Sequence, residues 1–237
     1  MKIIPITGTI IPSEDQELYD WFGIEAVSPK KVREALIDAN GEDVTVAVNS
    51  PGGDLWSGNE ISYALSTYAG NVTADIMGIA ASAATVVCCG ADRVRMSPGA
   101  QYMIHNVSSF AAGDHNDMDK MSDILQNADK ATSNVYRKKT GLSTKKLLYL
   151  MNEETWMDAD KAIKYGFVDE IIGATAQEEE NPDAFTLQNS APKCKVLTEE
   201  QKAQARAALT GCTHSEESTR RQRQLDIMKL KGEIKNV

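Results

Sequence analysis

The sequence lacks the long apolar segments that membrane and secreted proteins require. Among its 237 residues, no apolar run approaches the ~20 residues that a membrane-spanning helix needs. The opening segment, Met1 to Gly8, is apolar, but it is too short and too interrupted for a signal peptide. We therefore predict that it forms a first β-strand, and we expect a cytoplasmic protein with no membrane partner.

The sequence also contains few cysteines and carries no net positive charge. The four cysteines show no zinc-binding spacing. Cys88 and Cys89 lie in an apolar run, where reduced thiols serve as small hydrophobic side chains. The formal net charge is -9, which argues against nucleic-acid binding. We expect neither a metal nor a cofactor.

Histidine occurs only three times, so a catalytic base has few candidates. His115 lies in a polar loop and His214 lies in the C-terminal tail. His105 ends an apolar strand that begins at Tyr102, and catalytic groups of open sheets gather at strand ends. Taken by itself, His105 suits a hydrogen-bonded structural role as well as a catalytic one.

Apolar runs alternate with helical patterns, which predicts an α/β fold with a mostly parallel sheet and right-handed crossovers. The last predicted strand of the core covers residues 167–172. The longest helical pattern, from about Asn116 to Lys139, has one apolar face that includes Met118 and Met121. The composition changes after Gly173, where an acidic segment begins. We predict a core domain over 1–173, an acidic linker over 174–197 and a helical tail over 198–237, opened by the capping box Thr198-Glu199-Glu200-Gln201.

Ser82 lies at a predicted corner between a strand and a helix. A short apolar run, Val72 to Met77, precedes it, and a small-residue stretch, Ala83 to Ala91, follows it. A serine at such a corner has an exposed hydroxyl group, and the free N–H groups of the following helix point towards the atom that it would attack. Serine is also a common helix cap, so the corner alone leaves both roles open.

A serine nucleophile also needs oxyanion donors and a carboxylate that orients its base. The run Val44 to Val48 is a predicted strand that leads into a predicted turn over Asn49 to Gly53. An N–H group of Gly52-Gly53 could donate to an oxyanion, although an ordinary turn explains the same residues. Several carboxylates are candidates for the acid, and Asp158 also has a helix to cap. They are Glu153, Glu154, Asp158, Asp160 and Asp169.

Four motifs together resemble ClpP, the proteolytic subunit of the Clp protease and a family of serine peptidases. They occur in the family's order and at similar spacing, over roughly Ile3 to Gly173. The motifs are Asn49-Ser50-Pro51-Gly52-Gly53, Gly78-Ile79-Ala80-Ala81-Ser82-Ala83-Ala84, Met103-Ile104-His105-Asn106 and Ala162-Ile163-Lys164-Tyr165-Gly166-Phe167-Val168-Asp169.

The resemblance implies a ClpP/crotonase-type fold, a spiral of ββα units with a protruding helical handle. It implies Ser82 as nucleophile and His105 as general base, with Gly53 and Ala83 as oxyanion-hole donors. The family's acid is usually an aspartate, and the matching position here is Glu154. Its additional methylene group requires the surrounding backbone to compensate, and the neighbouring Glu153 is the fallback.

The resemblance also implies polypeptide substrates and a homo-oligomer, in which handles interlock two stacked rings, usually heptameric. The family's N-terminal segment, which contacts the ATPase ring, does not precede the first strand, and this puts dependence on a Clp ATPase in doubt. That difference and the long tail are similar to ClpP-like proteases of phages and prophages. Capsid or scaffold proteins are therefore candidate partners, and prohead maturation is a candidate role.

Two other functions stay open. A crotonase-like acyl-CoA enzyme would use the same fold, with Gly52-Gly53 near a thioester oxyanion, but it does not account for Ser82 or His105. A non-catalytic shell or scaffold protein is suggested by the tail. Such a protein would need neither the serine nor the histidine.

Overall fold

A computed structural model of the chain describes residues 2–173 and 196–210. The strands are β1 (Lys2–Ile10), β2 (Ala26–Val27), β3 (Val44–Gly53), β4 (Val72–Ala81), β5 (Arg93–Met96), β6 (Gln101–Ile104), β7 (Thr155–Met157) and β8 (Glu170–Ile171). The helices are α1 (Gln16–Phe22), α2 (Pro29–Ala39), α3 (Leu55–Ser66), α4 (Ala83–Cys88), α5 (His115–Thr140), α6 (Thr144–Asn152), α7 (Ala159–Lys164) and α8 (Glu199–Thr210). Within these ranges, no helix has the length and apolar character to cross a membrane.

The strands form one sheet in the order β2-β1-β3-β4-β5-β8, and all neighbours along this order are parallel. The first half of β4 pairs with β5, whereas its last residues pair with β6. β7 then pairs with β6 in the antiparallel direction. The α/β architecture with a mostly parallel sheet is confirmed, and the exchange of partners along β4 turns the sheet just before Ser82.

The main core lies between this sheet and the helices that cover it. On β3, Val44, Val46 and Val48 are buried, because alternate residues of a strand share one face. A slip of one residue would turn that apolar row to the other face, so the row fixes the strand register. Cys88 is buried behind it as a free thiol. Burial raises the pKa of the neighbouring Cys89 to about 12, which favours the protonated thiol at neutral pH.

α5 extends away from the main core. Its C-terminal half packs against α4 and α6 and buries Ala128, Thr132 and Tyr136. Its N-terminal half is mostly exposed, and Met118 has 39% of its surface accessible. The apolar face predicted along the whole helix is thus buried within one chain only in its second half, and the first half projects as a handle.

Two local predictions are wrong. Asn49 to Gly53, expected to form a turn, instead continues β3 and pairs with β1 and β4 across register shifts. Side-chain hydrogen bonds hold this irregular stretch, because the Ser50 hydroxyl donates to the Gly8 carbonyl and accepts from the Gly52 N–H. Of the strand expected over residues 167–172, only Glu170–Ile171 forms as β8, because only these two residues pair with β5.

α8 and α1 share a second, smaller apolar cluster at the β2 end of the sheet. Its buried members are Ile11, Leu18, Tyr19, Phe22, Ala26, Leu197 and Ala205. The capping box predicted for this helix is present, because Thr198 and Gln201 exchange two hydrogen bonds. The predicted linker lies almost wholly outside the described residues, as does the tail after Thr210, so the three-part division of the chain stays a prediction.

An ion-pair cluster holds α8 against the residues just before α1. Asp15 is only 2% exposed. Its carboxylate pairs with Lys202 at 2.5 Å and with Arg206 at 3.0 Å. Because a buried carboxylate needs such partners, this cluster fixes where α8 packs.

Replacement of Asp15 by Asn should loosen α8. Removing one partner of a fully buried ion pair lowers the free energy of unfolding by about 3–5 kcal/mol. Because Arg206 is partly exposed, we expect a smaller loss here, of about 1–3 kcal/mol. Hydrogen exchange of the α8 amides should then become about tenfold faster or more. Asp20→Asn is the matched control on α1, because that carboxylate is exposed. Equal α8 protection in Asp15→Asn and the wild type would contradict the expectation.

Candidate active site

Ser82 occupies the corner between β4 and α4 in a strained backbone conformation, with φ of 54° and ψ of -126°. A residue other than glycine in such a region costs about 1–3 kcal/mol. Ser82 stands at the N-cap position, but its side chain makes no capping hydrogen bond. The hydroxyl group is therefore not used by the helix, and the capping interpretation of the sequence loses its support.

Hydrogen bonds on both sides of Ser82 stabilise this conformation. The Ser82 N–H donates to the Met103 carbonyl on β6. The Ser82 carbonyl accepts from the Thr85 hydroxyl at 2.5 Å, and that hydroxyl also contacts the Tyr136 hydroxyl at 2.7 Å. Burial raises the pKa of Tyr136, so the phenol remains neutral and available as a hydrogen-bond partner.

Gly52 on β3 lies directly against the corner. Its φ is 97°, and a Cβ atom there would lie 2.6 Å from the Ala81 carbonyl oxygen and 2.8 Å from the Cβ of Ser82. Gly53 has a φ of 145°, and a Cβ atom would lie 2.1 Å from the Ile10 carbonyl oxygen. Only glycine at position 52 allows β3 to approach the serine this closely, and only glycine at position 53 fits against β1. The paired glycines therefore serve close packing of the strand and not a turn.

His105 follows β6 immediately, and its Nε2 atom lies 2.8 Å from Ser82 Oγ. The next residues are held by side chains on two helices. Asp129 on α5 accepts the Val107 N–H at 2.7 Å, and Asn106 donates to Asn152 at 3.4 Å. Sequence reasoning missed the contribution of Asp129, because nothing in the pattern separates it from the other acidic residues of α5.

Ser82 and His105 both line a cavity of about 340 Å³. Gly53 and Ala83, the predicted oxyanion donors, line the same cavity. Ala83 is the first residue of α4, and such an N–H group has no acceptor within its own helix. The cavity also has an apolar wall, formed by Val86, Met121, Leu125 and Ala128.

Glu154 is not in hydrogen-bond contact with the histidine. It lies in the turn just before β7 with φ of 45°, and its Oε1 accepts from Trp156 Nε1 at 3.3 Å. The fallback candidate, Glu153, is exposed at the end of α6. Across residues 2–173 and 196–210, no carboxylate is hydrogen-bonded to His105. The same ranges contain no cluster of acidic, histidine or cysteine residues that could hold a metal ion.

The known proteins that this chain resembles in sequence all point to one family. The Clp protease family model matches residues 34–175. The ATP-dependent Clp protease proteolytic subunit of Streptococcus mutans is 32% identical over 137 residues, which cover 56% of this chain and 70% of that protein. The corresponding subunit of Streptococcus pneumoniae is 31% identical over 135 residues, or 55% of this chain and 69% of that protein.

A solved structure of a ClpP1 mutant from Listeria monocytogenes has the same fold. It superposes with a TM-score of 0.60 and 21% sequence identity, covering 72% of this chain and 91% of that chain. This likeness confirms the fold expected from the sequence motifs, in which helix-covered strands turn into a spiral and a helical handle projects.

Replacement of Gly52 by Ala should distort the Ser82 corner. The new methyl group would collide with backbone atoms at a φ that alanine rarely adopts, so we expect destabilisation of about 1–3 kcal/mol. The rate at which a fluorophosphonate labels Ser82 should fall steeply, as mass spectrometry of the modified protein would measure. Gly99→Ala is the control, because its Cβ meets no atom within 4 Å. Unchanged labelling of Gly52→Ala would refute the positioning role of this contact.

Proposed function

Because the chain belongs to the Clp protease family, whose members are serine endopeptidases, we propose that it hydrolyses peptide bonds with Ser82 as nucleophile and His105 as general base. The observation that carries this proposal is the 2.8 Å contact between Ser82 Oγ and His105 Nε2. Neither an acyl-CoA enzyme nor a non-catalytic shell protein accounts for this contact. The peptidase function therefore explains the site best.

The proposed reaction follows the order of groups around the cavity. His105 Nε2 accepts the Ser82 hydroxyl proton while Oγ bonds to the carbonyl carbon of the peptide. The N–H groups of Gly53 and Ala83 donate to the resulting oxyanion. The imidazolium then protonates the leaving amine as the C–N bond breaks. A water molecule, activated by the same histidine, hydrolyses the acyl-enzyme and regenerates Ser82.

The cavity suggests the substrate side chain that precedes the cleaved bond. Its wall beyond Ser82 is apolar, and apolar pockets stabilise side chains that they remove from water. A volume of about 340 Å³ accommodates a side chain of leucine or methionine size. We therefore propose cleavage after medium-sized apolar residues of polypeptides.

Glu154 is the proposed acid that orients His105. Residues of β6 and β7 pair so that Ile104 lies opposite Thr155, and the next pair outward in this register is His105 and Glu154. This placement favours Glu154 over Glu153, which lies one residue further from the ladder.

The exposed handle supports assembly into an oligomer. Its apolar side chains Met118 and Ile124 are 39% and 56% exposed, and apolar surface of this kind is typical of contacts between subunits. We propose a homo-oligomeric ring, alone or stacked, that acts on polypeptides delivered by a Clp ATPase or, as in phage prohead maturation, on capsid or scaffold proteins. Mass photometry of the purified chain tests the assembly, and a monomer at all concentrations would contradict it. The cytoplasmic location stays a prediction.

Ser82→Ala should abolish peptidase activity. Loss of a triad nucleophile typically lowers the rate by about 10³–10⁶-fold, which hydrolysis of a fluorogenic peptide with leucine before the cleaved bond would measure. Fluorophosphonate labelling should disappear in the same variant. Ser66→Ala is the control, since this exposed hydroxyl on α3 only contacts the Tyr63 carbonyl. Absence of both hydrolysis and labelling in the folded, assembled wild type would refute the proposed function.

A further inference from the structure

We propose that Trp156 is a positioning residue that holds the Glu154 carboxylate for its contact with His105. This inference rests on the proposed function, in which Glu154 is the acid of the triad. It concerns a side chain that none of the sequence motifs singled out. It also explains how a glutamate can orient the histidine despite its longer side chain.

The first observation is the hydrogen bond that Trp156 already makes. Its indole Nε1–H donates to Glu154 Oε1 at 3.3 Å, and an indole N–H can only donate. Within the described residues, neither the second carboxylate oxygen, Oε2, nor His105 Nδ1 has a hydrogen-bond partner. The tryptophan thus occupies one oxygen of the acid and leaves the other for the histidine.

The second observation is the register of the two strands. Met103 on β6 lies opposite Trp156 on β7. The last pair of this ladder is Ile104 and Thr155, so the positions of His105 and Glu154 come next, directly beyond the end of the ladder. The two residues therefore occupy facing positions of the chain at the end of the ladder, from which the carboxylate can reach the ring.

The third observation is that hydrogen bonds hold the backbone that carries Trp156. Its carbonyl accepts from Lys161 Nζ at 2.8 Å. The preceding residue, Thr155, is buried and donates its hydroxyl hydrogen to the Leu150 carbonyl at 2.6 Å. Glu154, in contrast, is exposed and has one more rotatable side-chain bond than aspartate. A fixed donor restricts that freedom, which reduces the entropy lost when Oε2 accepts from the histidine.

The opposite effect would follow if the indole withdrew the carboxylate from His105. Removal of the indole N–H would then increase the rate. The sign of the change in kcat therefore separates a residue that positions Glu154 from one that competes for it.

The test compares Trp156→Phe with the wild type, using the fluorogenic peptide. Phenylalanine retains an aromatic ring but removes the N–H donor. We expect kcat to fall about three- to tenfold, as for loss of one hydrogen bond of ordinary net strength at an exposed site, while KM stays unchanged because the cavity is intact. In a Glu154→Ala background, which should itself be much slower, Trp156→Phe should have no further effect. Trp21→Phe, in the α1–α8 cluster, is the control and should keep the wild-type kcat.

The outcomes separate this inference from the proposed function. If wild type and Trp156→Phe hydrolyse the peptide equally fast while Ser82→Ala is inactive, the peptidase stands and the positioning role is overturned. A faster Trp156→Phe enzyme, or equal losses with and without Glu154, would overturn it as well. If the folded, assembled wild type is neither labelled nor active, the proposed function itself fails.

Discussion

The close approach of Gly52 to the Ser82 corner is the contact on which the site depends. It brings the end of β3 against the end of β4, and it is possible only because the strands are parallel and finish at the same edge of the sheet. The strained serine keeps its conformation because Met103, Thr85 and the glycine constrain it from three sides. Displacement of β3 would therefore move the nucleophile and the wall of the cavity together.

The site divides into a rigid part and a part at its margin. Ser82 and His105 follow buried strands of the central sheet, so their relative position is fixed by the main core. Glu154 immediately precedes β7, a strand of three residues that, in the part of the chain the structure describes, pairs only with β6. An exposed glutamate at that place needs local support, and the indole of Trp156 is the donor that the structure provides.

The second apolar cluster is independent of this site. α1, β2 and α8 all lie outside the part of the chain that the Clp protease family model matches. α1 packs against β2 and α8, β2 pairs with the first strand, and Asp15 with its two cations fixes α8. The chain thus combines the family's sheet and site with an additional packing unit, in which a helix from beyond residue 195 closes over the helix that follows β1.

The sequence by itself determined most strands and helices of the core and the corner position of Ser82. These follow from local rules, namely the alternation of apolar residues and the restricted dihedral angles at turns. It did not determine that Asn49 to Gly53 continues a strand, that Asp129 secures the segment after His105, or that Trp156 binds Glu154. Each of these depends on contacts between residues far apart in the chain or on side-chain direction. Such contacts exist only once the sheet register is formed, and the tertiary structure alone decides them.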